Sequence, residues 1–87
     1  MYNVIIQKKM LRNLRKMPEQ VQKVMANLVE DLRDKGPVRN EWPNFSRLGQ
    51  DRYHCHLAHK WVACWSHKKG SMTIEVYYAG SRENAPY

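Results

Sequence analysis

The residues best suited to chemistry are two histidines, His54 and His56, in the segment Tyr53-His-Cys-His-Leu57. Imidazole is the side chain best placed to exchange protons near neutral pH. On a strand, alternate side chains point to the same side about 7 Å apart, so both imidazoles would share one face. This arrangement suits acid–base catalysis or a metal site. It is also compatible with two surface histidines on a polar strand face.

Two further histidines, His59 and His67, make zinc an alternative to acid–base chemistry. However, the sequence has neither CxxC pairs nor HExxH, the spacings typical of zinc sites. We therefore predict no metal ligands. GxSxG, Walker and GxGxxG patterns are also missing, which excludes most common enzyme classes.

The histidines belong to a predicted β-meander of three strands, residues 53–57, 61–65 and 72–79, bounded by turn residues. With a turn at 58–60, alternation divides the side chains of the first two strands between two faces. The core face receives Tyr53, Cys55, Leu57, Trp61, Ala63 and Trp65. Val62 and Cys64 lie beside the histidines. The two cysteines then point to opposite faces, so we expect no disulfide and reduced thiols.

The first half of the chain predicts one strand and two helices. The β-branched run Val4-Ile-Ile6 indicates a strand, and residues 8–16 have the spacing of a short amphipathic helix. A longer helix follows Pro18 and ends at Gly36, with apolar residues at helical spacing throughout. The predicted order is β-α-α-β-β-β in a single domain of residues 1–87. This is an α+β fold with two N-terminal helices packed on one face of an antiparallel sheet.

The charge of the chain favours polyanionic partners. Lys and Arg number 15 against 8 acidic residues, which gives a formal net charge of +7. Such a balance favours nucleic acid through phosphate contacts. No apolar run approaches the roughly 20 residues of a spanning helix, and no signal peptide opens the chain, so we expect no membrane association and a cytoplasmic location.

Several short motifs follow one another in a recognisable order. They are Arg47-Leu48-Gly49, the strand Tyr53-His-Cys-His-Leu57, the aromatic strand end Trp65 and the closing Tyr77-Tyr-Ala-Gly-Ser-Arg82. In this order and spacing the chain resembles the RelE/ParE superfamily of bacterial toxins from type II toxin–antitoxin modules, over nearly its whole length. RelE-like members cleave mRNA in the ribosomal A site, and ParE-like members poison DNA gyrase on the same fold.

The resemblance implies a catalytic site. His54 and His56 match the paired basic residues of the RelE-type strand, Arg82 matches the arginine after the last strand, and Tyr87 falls close to the C-terminal tyrosine. Val62 departs from the pattern, because the middle strand usually carries an arginine there; Lys60 is a nearby substitute. The chain also stops without the C-terminal helix frequent in the family.

We therefore expect a metal-independent endoribonuclease that needs no cofactor and cleaves ribosome-bound mRNA by attack of the ribose 2′-OH on the scissile phosphate. RNA would be held through phosphate contacts by basic residues, namely Lys8, Lys9, Arg12, Arg15, Lys16, Arg52 and Lys60. A cognate antitoxin is implied by the resemblance. Two alternatives stay open: a ParE-like gyrase inhibitor, and a catalytically silent module that binds RNA or antitoxin.

Overall fold

The structure is a computed structural model that describes all residues, 1–87. It contains two helices, five strands and a final 3-10 turn of Arg82–Asn84. The elements are β1 (Asn3–Ile6), α1 (Met10–Lys16), α2 (Glu19–Lys35), β2 (Ser46–Arg47), β3 (Arg52–Ala58), β4 (Trp61–His67) and β5 (Thr73–Ser81). The strands form one sheet in the order β1-β5-β4-β3-β2.

The predicted α+β fold is confirmed, with two differences in the sheet. First, the sheet is mixed, because β1 pairs with β5 in parallel, whereas the other neighbours are antiparallel as predicted. Local patterning identifies β1 as a strand but carries no information about its partner, and the long connection through both helices permits either direction. Second, a two-residue strand, β2, pairs with β3 in the stretch between the long helix and the meander, where the sequence predicts no strand.

Helix α2 supplies most of the helical side of the main core. Its buried residues Val21, Met25, Leu28 and Leu32 recur at the spacing of one helical face. The helix ends where Gly36 adopts a φ of 93°, a left-handed conformation in which a Cβ would lie 2.9 Å from the Tyr2 ring. The predicted boundaries of this helix are thus confirmed.

The sheet side of the main core contains the predicted set of side chains. Tyr53, Cys55, Leu57, Ala63 and Trp65 are buried in it. Trp61 packs against it and is only partly buried, because it begins β4. The alternation of side chains along β3 and β4 is therefore confirmed, and the pairing of the two strands shifts register only between His56 and Ala58, at the turn end.

Aromatic residues hold the loop after α2 against this core by hydrogen bonds and ring stacking. The indole N–H of Trp65 donates to the Pro37 carbonyl at 3.0 Å, and that of Trp42 donates to the Asp31 carboxylate at 2.8 Å. Phe45 stacks on Tyr53 with ring centroids 5.9 Å apart. These contacts place β2 beside β3, at the edge of the histidine-bearing strand.

The opposite face of the sheet has a second, smaller core. Val62, Cys64 and Tyr78 are buried there, with Met10, Leu48, Tyr77 and Ala85 packed against them. Helix α1 lies against β5 and contacts both cores, Leu14 reaching the main core and Met10 the smaller one. Cys55 and Cys64 are free and belong to different cores, as the predicted faces require.

Candidate active site

His54 and His56 lie on the face of the sheet that carries the smaller core. In the β3–β4 ladder His54 lies opposite Cys64 and His56 opposite Val62, and both of these partners are fully buried. Val62, at the position where the resemblance led us to expect an arginine, is therefore an apolar neighbour of His56 on the same face of the sheet. The side chain of Lys60 is exposed in the turn before β4.

His54 is buried, with 8% of its surface exposed. Its Nδ1 lies 2.9 Å from Ser46 Oγ, and its ring lies 4.5 Å from the Tyr87 ring and 5.8 Å from the His56 ring, between centroids. The alternative of two surface histidines on a polar strand face is therefore wrong for His54. The alternation of side chains predicts on which face of a strand a residue lies, but not which distant segment covers that face. Here Tyr87 covers His54.

His56 is the more accessible histidine and shares a pocket with Arg82. The pocket has a volume of ≈ 350 Å³, and Pro43, Asn44 and His59 also line it. The Arg82 backbone N–H donates to the Lys60 carbonyl at 2.7 Å, which ties the end of β5 to the β3–β4 turn. The His56 N–H donates to the Pro43 carbonyl at 2.8 Å. Two backbone hydrogen bonds thus position the histidine and the arginine at one opening.

Tyr87 reaches His54 because the chain turns after β5. The 3-10 turn of Arg82–Asn84 redirects the chain, and Ala85 packs on the smaller core. Tyr87 remains 53% exposed, so one side of its ring covers His54 and the other meets solvent. All four predicted catalytic residues therefore lie on the same side of the sheet.

Both histidines favour the neutral form. Burial lowers the pKa of His54, and the nearby His56 adds to this, whereas a backbone hydrogen bond at Ser46 opposes it. The pKa of His56 is also lowered, by burial first and then by the charges of Arg82 and His59. Burial raises the pKa of the Tyr87 phenol. At neutral pH the site thus offers neutral imidazole as proton acceptor and a protonated phenol as donor.

A β-bulge adds two tyrosines that the sequence analysis did not single out. The β4–β5 register shifts between Cys64 and Trp65, so Tyr77 is the extra residue, and Tyr77 and Tyr78 both pack against the smaller core. The Tyr78 hydroxyl donates to the Ser81 carbonyl at 2.7 Å. A Cβ on Gly80 would lie 2.9 Å from that hydroxyl, which explains why glycine stands there.

Tyr77 brings its phenol beside Arg52 and Cys64. Its oxygen is buried without a hydrogen-bond partner. Burial raises its pKa, the Cys64 thiol also raises it, and the Arg52 charge works in the opposite direction. Burial likewise raises the pKa of Cys64 to about 12, so this thiol is protonated and unreactive at neutral pH.

Ser46 is a third residue that the sequence did not reveal. It lies between α2 and β3, where the sequence predicts no strand, and nothing in its neighbours indicates that it pairs with His54 across a two-residue strand. A cross-strand partner of this kind depends on how the loop folds back. No local pattern could have revealed it.

The predicted RNA-binding side chains are all exposed. Five of them lie on α1 or directly before it, namely Lys8, Lys9, Arg12, Arg15 and Lys16. Because Met10 of the same helix packs against the smaller core, this basic segment flanks the histidine side of the sheet. Arg52 begins β3, and Lys60 lies in the turn after that strand.

The four histidines do not converge. His59 precedes β4 and His67 ends it, so the two are roughly 20 Å apart at strand spacing. No group of three or more His, Cys, Asp or Glu side chains is arranged to hold a metal ion. Separately, neither helix is long and apolar enough to cross a bilayer.

The complete fold matches solved toxin structures. The archaeal RelE–RelB complex from Pyrococcus horikoshii matches with a TM-score of 0.76 and 17% identity, over 97% of this chain and 98% of that one. The isolated E. coli RelE toxin matches at 0.74 and 15%, over 99% and 89%. This chain has the RelE toxin fold. A metal-bound toxin from Helicobacter pylori matches at 0.73 and 20%, over 95% and 97%.

The RelE fold confirms the predicted resemblance at the level of architecture. No protein-family model matches the sequence, and a search of curated proteins found no match. The similarity to the solved toxin structures therefore lies in the order and arrangement of helices and strands. Residue roles within this RelE fold rest on the geometry of His54, His56, Arg82 and Tyr87 described above.

Proposed function

We propose that this protein is the toxin of a type II toxin–antitoxin module and that it acts in the cytoplasm by cleaving ribosome-bound mRNA. The observation that carries this proposal is the shared opening of His56 and Arg82, with His54 and Tyr87 adjoining it. A neutral base and a guanidinium at one pocket are what phosphodiester cleavage requires. The RelE fold supports the same conclusion.

In the proposed reaction His56 takes the proton of the ribose 2′-OH. The 2′-oxygen attacks phosphorus, the bond from phosphorus to the 5′-oxygen breaks, and the products are a 2′,3′-cyclic phosphate and a 5′-hydroxyl. The leaving 5′-oxygen takes its proton from the Tyr87 phenol, which the raised pKa keeps protonated. Arg82 neutralises the charge that develops on the phosphate oxygens. No metal or other cofactor takes part.

His54 acts in this scheme by holding its neighbours in place. It is buried, it contacts the rings of both His56 and Tyr87, and Ser46 fixes one of its nitrogens. A buried imidazole with a lowered pKa is a neutral, rigid support between the proposed base and the proposed acid. We therefore assign the base to His56 and a positioning role to His54.

An antitoxin protein is the proposed partner. The P. horikoshii RelE structure is a complex with RelB, and a YoeB of Staphylococcus aureus with the same fold is in complex with YefM. The mRNA is the proposed substrate, and the ribosome is a proposed binding partner. A net charge of +7 favours contacts with the phosphates of both. We expect the antitoxin to be encoded beside the toxin.

The test is expression of the chain alone in a bacterial host. Incorporation of labelled methionine should fall before that of thymidine, and sequencing of mRNA 5′ ends should reveal new termini with 5′-hydroxyls. If thymidine incorporation falls first and a DNA-damage response appears, the alternative of a gyrase inhibitor is correct. If neither falls while antitoxin still binds, the chain is the catalytically silent module that Val62 makes an alternative.

A further inference from the structure

A cavity away from the proposed active site is lined mainly by polar and basic side chains. Its volume is ≈ 770 Å³, and it opens between the end of α2, the start of β3 and the β4–β5 turn. Five lysines and arginines line it, with Asp51 as the only acidic residue. They are Lys35, Arg39, Arg47, Lys68 and Lys69.

Three of these five cations have no carboxylate partner. Lys35 pairs with Asp31, and Arg39 pairs with Glu41. The ion pairs of the structure do not include Arg47, Lys68 or Lys69. The cavity therefore has an excess of positive charge, which Asp51 offsets only in part.

Arg47 is held at this cavity by Tyr53. Its guanidinium lies 5.3 Å from the centroid of the Tyr53 ring and donates to the Tyr53 hydroxyl at 3.3 Å. Both contacts restrict the guanidinium without neutralising its charge. Lys68 and Lys69 are exposed beside Gly70, whose φ of 86° sets the turn that presents them.

The cavity and the proposed active site are at opposite ends of the β3–β4 pair. His67 and Tyr53 line the cavity at one end, whereas His56 and His59 line the smaller pocket at the other. Tyr53 and His56 are three residues apart on β3, and each strand of the pair has seven residues, so the two sites are separated by roughly 10 to 20 Å. One ligand group therefore cannot occupy both.

We propose that this basic cavity, the Arg47–Lys68–Lys69 site, binds the phosphodiester backbone of folded RNA and docks the protein on it. Phosphate contacts in nucleic-acid complexes come from arginine, lysine, hydroxyl and amide groups, and Tyr53 and Gln50 supply the last two here. Only three of its 12 lining residues are apolar, which disfavours a protein partner that needs apolar anchors. The inference rests on the proposed function in that this RNA belongs to the ribosome.

The test measures binding to a fluorescein-labelled RNA hairpin made with 2′-O-methyl ribose, which keeps the phosphates but cannot be cleaved. Anisotropy titrations over a range of salt concentrations compare the parent with K68Q/K69Q. Each lysine that contacts phosphate lowers the salt slope by about 1 when it is neutralised, so we expect a decrease of about 2 and at least a tenfold weaker affinity at low salt. R47Q is expected to act in the same direction.

The matched control is K23Q/R33Q, which removes the same charge from the exposed side of α2. It should weaken binding less than about threefold, since distant charges act only through the screened field. Equal losses in both double variants would mean that only net charge matters and would overturn the proposal. An unchanged RNA affinity with weakened binding of polyglutamate would assign the site to an acidic protein instead.

Failure of this inference is distinguishable from failure of the proposed function. The hairpin reports docking without cleavage, and mRNA cleavage by the parent reports the active site. Cleavage by a parent whose hairpin binding is insensitive to K68Q/K69Q refutes only the docking site. Hairpin binding that depends on these lysines, in a protein that never cleaves mRNA, refutes only the nuclease.

Discussion

Replacing His56 by alanine should abolish RNA cleavage while leaving the fold intact. The side chain is partly exposed, and its cross-strand neighbour Val62 is held by the smaller core, so the free energy of unfolding should change by no more than about 0.5 kcal/mol. Loss of a general base lowers rates by a factor of at least about 100, which corresponds to about 2.7 kcal/mol in the activation free energy. The expected effect on rate therefore far exceeds that on stability.

The assay compares cleavage of mRNA on purified ribosomes with thermal melting of each variant. His59→Ala is the matched control, because His59 lines the same pocket and has no role in the proposed reaction; its rate should stay within about threefold of the parent. His54→Ala should differ from His56→Ala by also melting at lower temperature, since it removes a buried ring under Tyr87. Cleavage by His56→Ala at the parental rate would refute the assignment of the base.

Three further outcomes are expected. Trp65→Ala should lower the free energy of unfolding by roughly 3 to 5 kcal/mol, and Trp61→Ala should lower it by less, because Trp65 is fully buried and Trp61 only partly. Chemical denaturation measures both values, and equal losses would contradict the argument from burial. The pKa of His54 in the folded protein lies below its ordinary value of 6.5, so the unfolded chain takes up the proton first as the pH falls. The free energy of unfolding should therefore decrease as the pH falls from about 6.5 through the pKa of the folded state. Denaturation series at several pH values should show a smaller decrease in His54→Gln. EDTA should leave cleavage unchanged, and stoichiometric zinc with loss of activity on chelation would refute that prediction.

The sequence alone sufficed for the elements with strong local periodicity. Helix α2 was predictable because Val21, Met25, Leu28 and Leu32 recur on one helical face, and Gly36 marks its end. The faces of β3 and β4 were equally predictable, because strand side chains alternate and only one register buries both Tyr53 and Trp65. That the two histidines share a face follows from the same alternation.

Tertiary contacts alone decided what surrounds those histidines. The parallel pairing of β1 with β5, the bulge at Tyr77, the approach of Ser46 to His54 and the return of Tyr87 all join residues far apart in sequence or depend on a register shift. Alternation repeats every two residues and helical patterns every three to four, so neither reports on such contacts. The sequence thus determined which side chains of β3 and β4 share a face of the sheet. Only the folded chain determined that His54 is covered and His56 is open, because burial depends on which distant segment packs on top.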